Sequence, residues 1–183
     1  MDGKYSETDL MSHTKTRLIA LGIIITGTLI SVISIGLMLL NPSVESAKPA
    51  TLPDQVAGLP LSNISSGNQA LLEITQLHGK EFPLVSGAVG RYGDNNQVNL
   101  WVAAAADIPI ATDILVAMRD RIADGNSPFT PTGELQNGNR TIFVLDGVGQ
   151  VHFYFQSGNQ IVWTAVDGPL VENVLQQVVD YYP

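Results

Sequence analysis

The sequence predicts an α+β fold: an antiparallel sheet of about five strands with helices on one face, behind a single N-terminal transmembrane helix. Three observations carry this expectation. Leu18 to Leu40 is an apolar run without a charged residue. Five stretches between Ala88 and Val166 alternate like strands and are separated by turn residues. A hairpin followed by a helix occurs twice, and hairpins force antiparallel neighbours.

Residues 1–17 are polar and mixed in charge, and read as a cytoplasmic tail. Residues 18–40 would be roughly 34 Å long as a helix, enough to cross a hydrocarbon core of about 30 Å. The run exceeds the apolar core of about 7–15 residues in a cleaved signal peptide. It also lacks the charged face of an interfacial helix. Lys15 and Arg17 flank its N-terminal edge, and the first basic residue beyond it is Lys48. The positive-inside rule then puts the N-terminus in the cytoplasm and the rest outside the cell membrane, as a single-pass signal anchor. Ala20, Gly27, Ser31 and Ser34 form a stripe of small side chains suited to contact with another helix. The alternative is that the serines bond back to their own helix and face lipid.

Residues 41–65, punctuated by Pro42, Pro49, Pro53 and Pro60, read as an extended stalk. Residues 66–183, about 120 in number, are enough for one domain. Its first element is a helix with Ala70, Leu71, Ile74 and Leu77 on one face, a cap at Ser66 or Asn68, and Gly79 at its end. Ala88 to Tyr92 and Gln97 to Ala103 form a hairpin around Gly93-Asp94-Asn95-Asn96. A helix opens near Pro109, turns Ile110, Ile114, Met118 and Ile122 inward, and closes at Gly125. Asn126 to Pro131 is expected to be an irregular loop because of its prolines. Arg140 to Asp146, Gln150 to Gln156 and Gln160 to Val166 are strands, and Pro169 opens a closing helix with Leu170, Val174, Leu175 and Val178 inward. Trp101, Ala103, Asp107 and Pro109 correspond to Trp163, Ala165, Asp167 and Pro169, which marks two strand-strand-helix pseudo-repeats.

The first 17 positions hold three acidic and three basic residues, so the whole net charge of −8 falls on the remainder. With no basic patch, nucleic acid is a poor partner. The chain has no cysteine, which removes disulfides, thiolate metal sites and covalent haem attachment. No nucleophile elbow, phosphate loop or dinucleotide fingerprint is present. Ser12-His13-Thr14-Lys15 matches SxxK only within the tail. A metal site of His78, Glu81 and His152 is conceivable by ligand type, but no fixed spacing supports it. The sequence therefore predicts neither an enzyme nor a cofactor.

Aromatic residues are the stronger lead. Alternation sets Val151, Phe153 and Phe155 on one sheet face and His152, Tyr154 and Gln156 on the other. Trp101 and Trp163 either join Tyr154 on an uncovered face, making a contact surface, or lie in the core, the placement favoured for large aromatics. Phe129, stiffened by Pro128 and Pro131, is a further contact candidate, alongside Trp101, His152, Tyr154 and Trp163; the alternative is that it caps the core.

Leu77-His78-Gly79-Lys80, the Gly125 to Pro131 loop and Gln150 to Gly158 resemble elements of an uncharacterised group of bacterial single-span membrane-anchored proteins. The likeness covers the outer domain, implies no activity and transfers no functional residue. The expected function is a non-catalytic accessory or interaction subunit of a membrane complex, with a protein partner bound through the span or the outer domain. The alternative is an extracytoplasmic small-ligand-binding or sensor domain, and a metal-dependent hydrolase ranks behind both.

Overall fold

Alternating side chains give one sheet two apolar faces, and helices cover both. The computed structural model describes residues 48–78 and 82–183, all of them within one unit, Glu45–Pro183. The strands are β1 (Gln55–Val56), β2 (Leu59–Ser66), β3 (Leu84–Tyr92), β4 (Val98–Ala105), β5 (Thr130–Asn137), β6 (Arg140–Gly147), β7 (Gln150–Ser157) and β8 (Gln160–Val166). They form a single sheet in the order β1-β2-β3-β4-β8-β7-β6-β5, with every neighbour antiparallel. Helix α1 (Gly67–His78) joins β2 to β3, α2 (Ile108–Ala123) follows β4, and α3 (Val171–Tyr181) follows β8 after a short 3-10 turn.

The expectation of about five strands is corrected to eight. Two of the additional strands, β1 and β2, lie in the stretch read as stalk, where Pro60 sits within β2. The third, β5, begins at Thr130 in the stretch read as a proline-rich loop. Prolines misled because these strands lie towards the rims of the sheet, where a missing N–H is tolerated. Residues 49–53 are also fastened to the domain. Gln160 Nε2 donates to Pro49 O at 2.8 Å, Tyr182 Oη to Thr51 O at 2.7 Å, and Tyr92 Oη to Pro53 O at 2.9 Å. Burial pushes both of these phenols above the usual tyrosine range.

Helices on one face is the second correction. On one side of the sheet, Leu100, Val102, Phe153, Phe155 and Val162 pack against Val174 and Val178 of α3. On the other, Ile114, Met118 and Ile122 of α2 meet Leu145, Tyr154 and Ile161, while Ala70 and Ile74 of α1 meet Val89. The two hairpins, β3-β4 and β7-β8, face each other across the β4-β8 pair, with Trp101 directly opposite Trp163. Their helices nevertheless leave to opposite faces, so the two strand-strand-helix units are not equivalent. As for the expected transmembrane helix, residues 18–40 lie outside the described residues, as do Ala20, Gly27, Ser31 and Ser34. Among the described residues no helix is long and apolar enough to cross a membrane.

Local chemistry explains where the helices sit. Asp107 caps α2, its carboxylate accepting from Ile110 N at 2.8 Å, and Pro109 lies in the first turn. Helix α1 closes directly onto β3 at Gly87, where an added Cβ would come within 3.1 Å of the Leu71 side chain.

Candidate functional site

Strand register assembles an aromatic row on the face shared by α1 and α2. Phe143, Tyr154, Trp163 and Trp101 are successive cross-strand partners on β6, β7, β8 and β4, and Val89 of β3 continues the row. Tyr154 stacks on Phe143 at 4.9 Å and on Trp163 at 5.0 Å. Tyr154 is 1% exposed and His152 5% exposed, so neither is the surface contact expected of it: α2 and the loop after it cover this end of the row. Burial pushes the Tyr154 phenol up to about 12.

Between the two helices the row is not fully covered. A helix with its side chains is about 10 Å across and neighbouring strands are about 4.8 Å apart, so each helix shields roughly two strands. Helix α1 packs over β2, β3 and β4, and α2 reaches from β4 towards β5, β7 and β8. What remains between them is a cavity of 360 Å³ with a floor of Trp101, Ala103, Ile161, Trp163 and His152. Ile74 of α1 forms one wall, and Ile114, Met118 and Ile122, one turn apart on α2, form the other. Arg121, Asn126, Ser127 and Val148 also contribute to its lining.

Phe129 closes one end. Its ring lies 4.7 Å from that of His152 and 5.0 Å from that of Trp163. The closure depends on Gly147, because a Cβ there would fall 2.7 Å from the Phe129 ring and 2.8 Å from Pro128 O. Ser127 Oγ accepts from Phe129 N at 3.2 Å and holds the loop in its turn.

The polar chemistry of the cavity is sparse. His152 Nδ1 accepts the Trp163 indole N–H at 3.1 Å, and His152 Nε2 donates to Gly147 O at 3.0 Å. Both ring nitrogens are occupied, leaving no lone pair for a metal or for general-base catalysis. Burial lowers the imidazole pKa, opposed by the Gly147 hydrogen bond and by Asp146. The remaining components of the imagined metal site, the His78 side chain and Glu81, lie outside the described residues. Among the described residues no group of three metal-ligating side chains occurs. Trp101 Nε1, by contrast, is a buried donor with no acceptor among the described residues.

Of the contact residues expected from sequence, Trp101, Phe129, His152 and Trp163 come together around the cavity, and Tyr154 supports Trp163 from behind. Arg121, Ala103 and Val148 are further lining residues that sequence reasoning missed. Val148 carried the most usable signal, a β-branched residue between two glycines in a hairpin turn that ordinarily favours Asn-Gly. No protein-family model matches the chain, and neither a curated protein nor a solved structure does.

Proposed function

We propose that the protein is a membrane-anchored extracytoplasmic binding module that takes up a small apolar ligand between α1 and α2. The observation that carries this reading is the 360 Å³ cavity floored by both tryptophans of the chain. Ligand sites span about 300–1,000 Å³ and are lined mainly by apolar and aromatic groups with few polar ones, a description this cavity meets. An apolar cavity of about 150 Å³ admits benzene, so this one suits a body of roughly a dozen non-hydrogen atoms. The lining supports binding rather than turnover: its histidine is fully engaged, and among the described residues no carboxylate lies in the lining. The stripe proposed for helix contact lies outside the described residues, so the interaction-subunit reading gains no support from the geometry.

Because Trp101 and Trp163 are the only tryptophans, intrinsic fluorescence reports on this cavity alone. The test is quenching of the full chain, reconstituted in lipid nanodiscs, by the neutral bromoalkane alcohol ω-bromodecanol. Saturable quenching that disappears in Ala103→Leu is expected. Quenching that rises only linearly, as from a solute dissolved in the bilayer, and is the same in both proteins overturns the reading.

A further inference from the structure

We infer that the cavity's ligand is an amphiphile with a single carboxylate-like head, held by Arg121 while its apolar body lies over the tryptophans. This deepens the binding reading above and rests on it. The argument starts from what the other arginines of the domain do. Arg91 pairs with Glu73 at 2.6 Å, and Arg119 pairs with Asp120 at 2.7 Å. Arg140 donates to the carbonyls of Val179 and Tyr182 and lies over the Phe155 ring. Arg121 is held by less than any of these. Its Nε donates to Asn126 O at 3.3 Å, and among the described residues no carboxylate pairs with it.

An exposed guanidinium without an anion among the described residues is notable in a chain of net charge −8, where acidic side chains are abundant. It is also one of the cavity's lining residues. The planar fork of a guanidinium matches a carboxylate through two parallel N–H···O bonds, a geometry that an ammonium does not offer. A hydrocarbon alone would leave the guanidinium unused, and a cation would be repelled by Arg121, the only charged residue among the described residues of the lining.

The test compares ω-bromodecanoate with ω-bromodecanol as quenchers of the full chain in nanodiscs, at a pH where the acid is ionised. The bromine sits at the far end of the chain, so a head group on Arg121 carries it towards the tryptophans. Half-maximal quenching by the carboxylate is expected at about tenfold lower concentration than by the alcohol. In Arg121→Gln that preference should fall below about twofold, the carboxylate's curve moving much further than the alcohol's, and added salt should weaken the carboxylate more than the alcohol. Arg121→Lys should restore only part of the preference, since it returns the charge without the fork. Comparing variants in the same bilayers cancels the partitioning of either probe into lipid. If Arg121→Gln leaves the ratio of the two probes unchanged, the anionic head is refuted while the apolar site stands. If neither quenches saturably, both readings fall.

Discussion

Trp163 donates its indole N–H to Nδ1 of His152 across 3.1 Å, so the buried imidazole carries its proton on Nε2, where Gly147 O accepts it. Protonating the ring would turn Nδ1 into a donor and set two N–H groups against each other. Burial already lowers the pKa of this ring, with Asp146 and the Gly147 bond pulling the other way. The unfolded chain therefore binds a proton that the folded chain refuses once pH falls below about 6.5. Stability from this site is complete above that pH and is lost on acidification towards the lower folded value. Thermal melts from about pH 7.5 to 5.5 should fall more steeply for the native chain than for His152→Gln, whose amide can accept from Trp163 without titrating. His13 and His78 are common to both proteins, so the difference between the slopes reads His152. Equal slopes would show that His152 is not buried as a neutral ring.

Gly147→Ala should open the cavity at the Phe129 end. The new methyl would meet both the Phe129 ring and the Pro128 carbonyl, and the second is backbone, which cannot swing aside. A loss of about 1–3 kcal/mol is expected from this overpacking. Phe129 rests on Trp163 and His152, so the same variant should shift the tryptophan emission towards that of a solvated indole. Destabilisation with unchanged emission would mean that the strain is absorbed elsewhere.

The parts of this fold visible in the sequence are those whose pattern is local. Trp101 sits on a strand whose burial alternates, Trp163 on one bounded by Ser157-Gly158-Asn159 and Asp167-Gly168-Pro169, and Asp107 with Pro109 announces the start of α2. The division of β7 into a Phe153 face and a Tyr154 face followed from period two alone. What escaped depends on partners distant in sequence. Strand β2 is exposed along most of its length and carries Pro60, so it lacks the alternation of a half-buried strand. Strand β5 is exposed at every position, and its pairing with β6 is what makes it regular. Which face a helix covers is likewise set by the whole sheet, and α2 and α3 diverge although the residues that open them correspond. The cavity itself is a spacing between two helices and leaves no mark in a linear pattern.

Val148→Asn should make the domain more stable and a poorer binder. Val148 has φ of +53° and is followed by Gly149 at +80°, the double left-handed turn that suits Asn-Gly and strains a β-branched side chain. The native residue is also 77% exposed while lining the cavity, two reasons against valine on stability grounds. Relief of about 1 kcal/mol should raise the melting temperature by roughly 4 °C. If valine is kept for its contact with ligand, ω-bromodecanol should quench Val148→Asn less tightly than the native chain. A variant that is more stable and binds equally well would remove Val148 from the site.

Ala103→Leu separates an open cavity from a filled core. Ala103 lies on the floor beside Trp101 and opposite Ile161 across the strand pair, and its methyl leaves most of the space above it unfilled. If that space is open in solution, leucine adds three carbons to it and gains up to about 2 kcal/mol from burial at roughly 0.8 kcal/mol per methylene. If neighbouring side chains already occupy it, the same carbons force them from their rotamers and cost about 1–3 kcal/mol. The two cases differ in sign, so a denaturant titration of the full chain decides between them. An open cavity over the tryptophans requires a midpoint at or above that of the native chain together with loss of saturable quenching by ω-bromodecanol. A lowered midpoint with quenching retained would mean that the tryptophans report on some other contact.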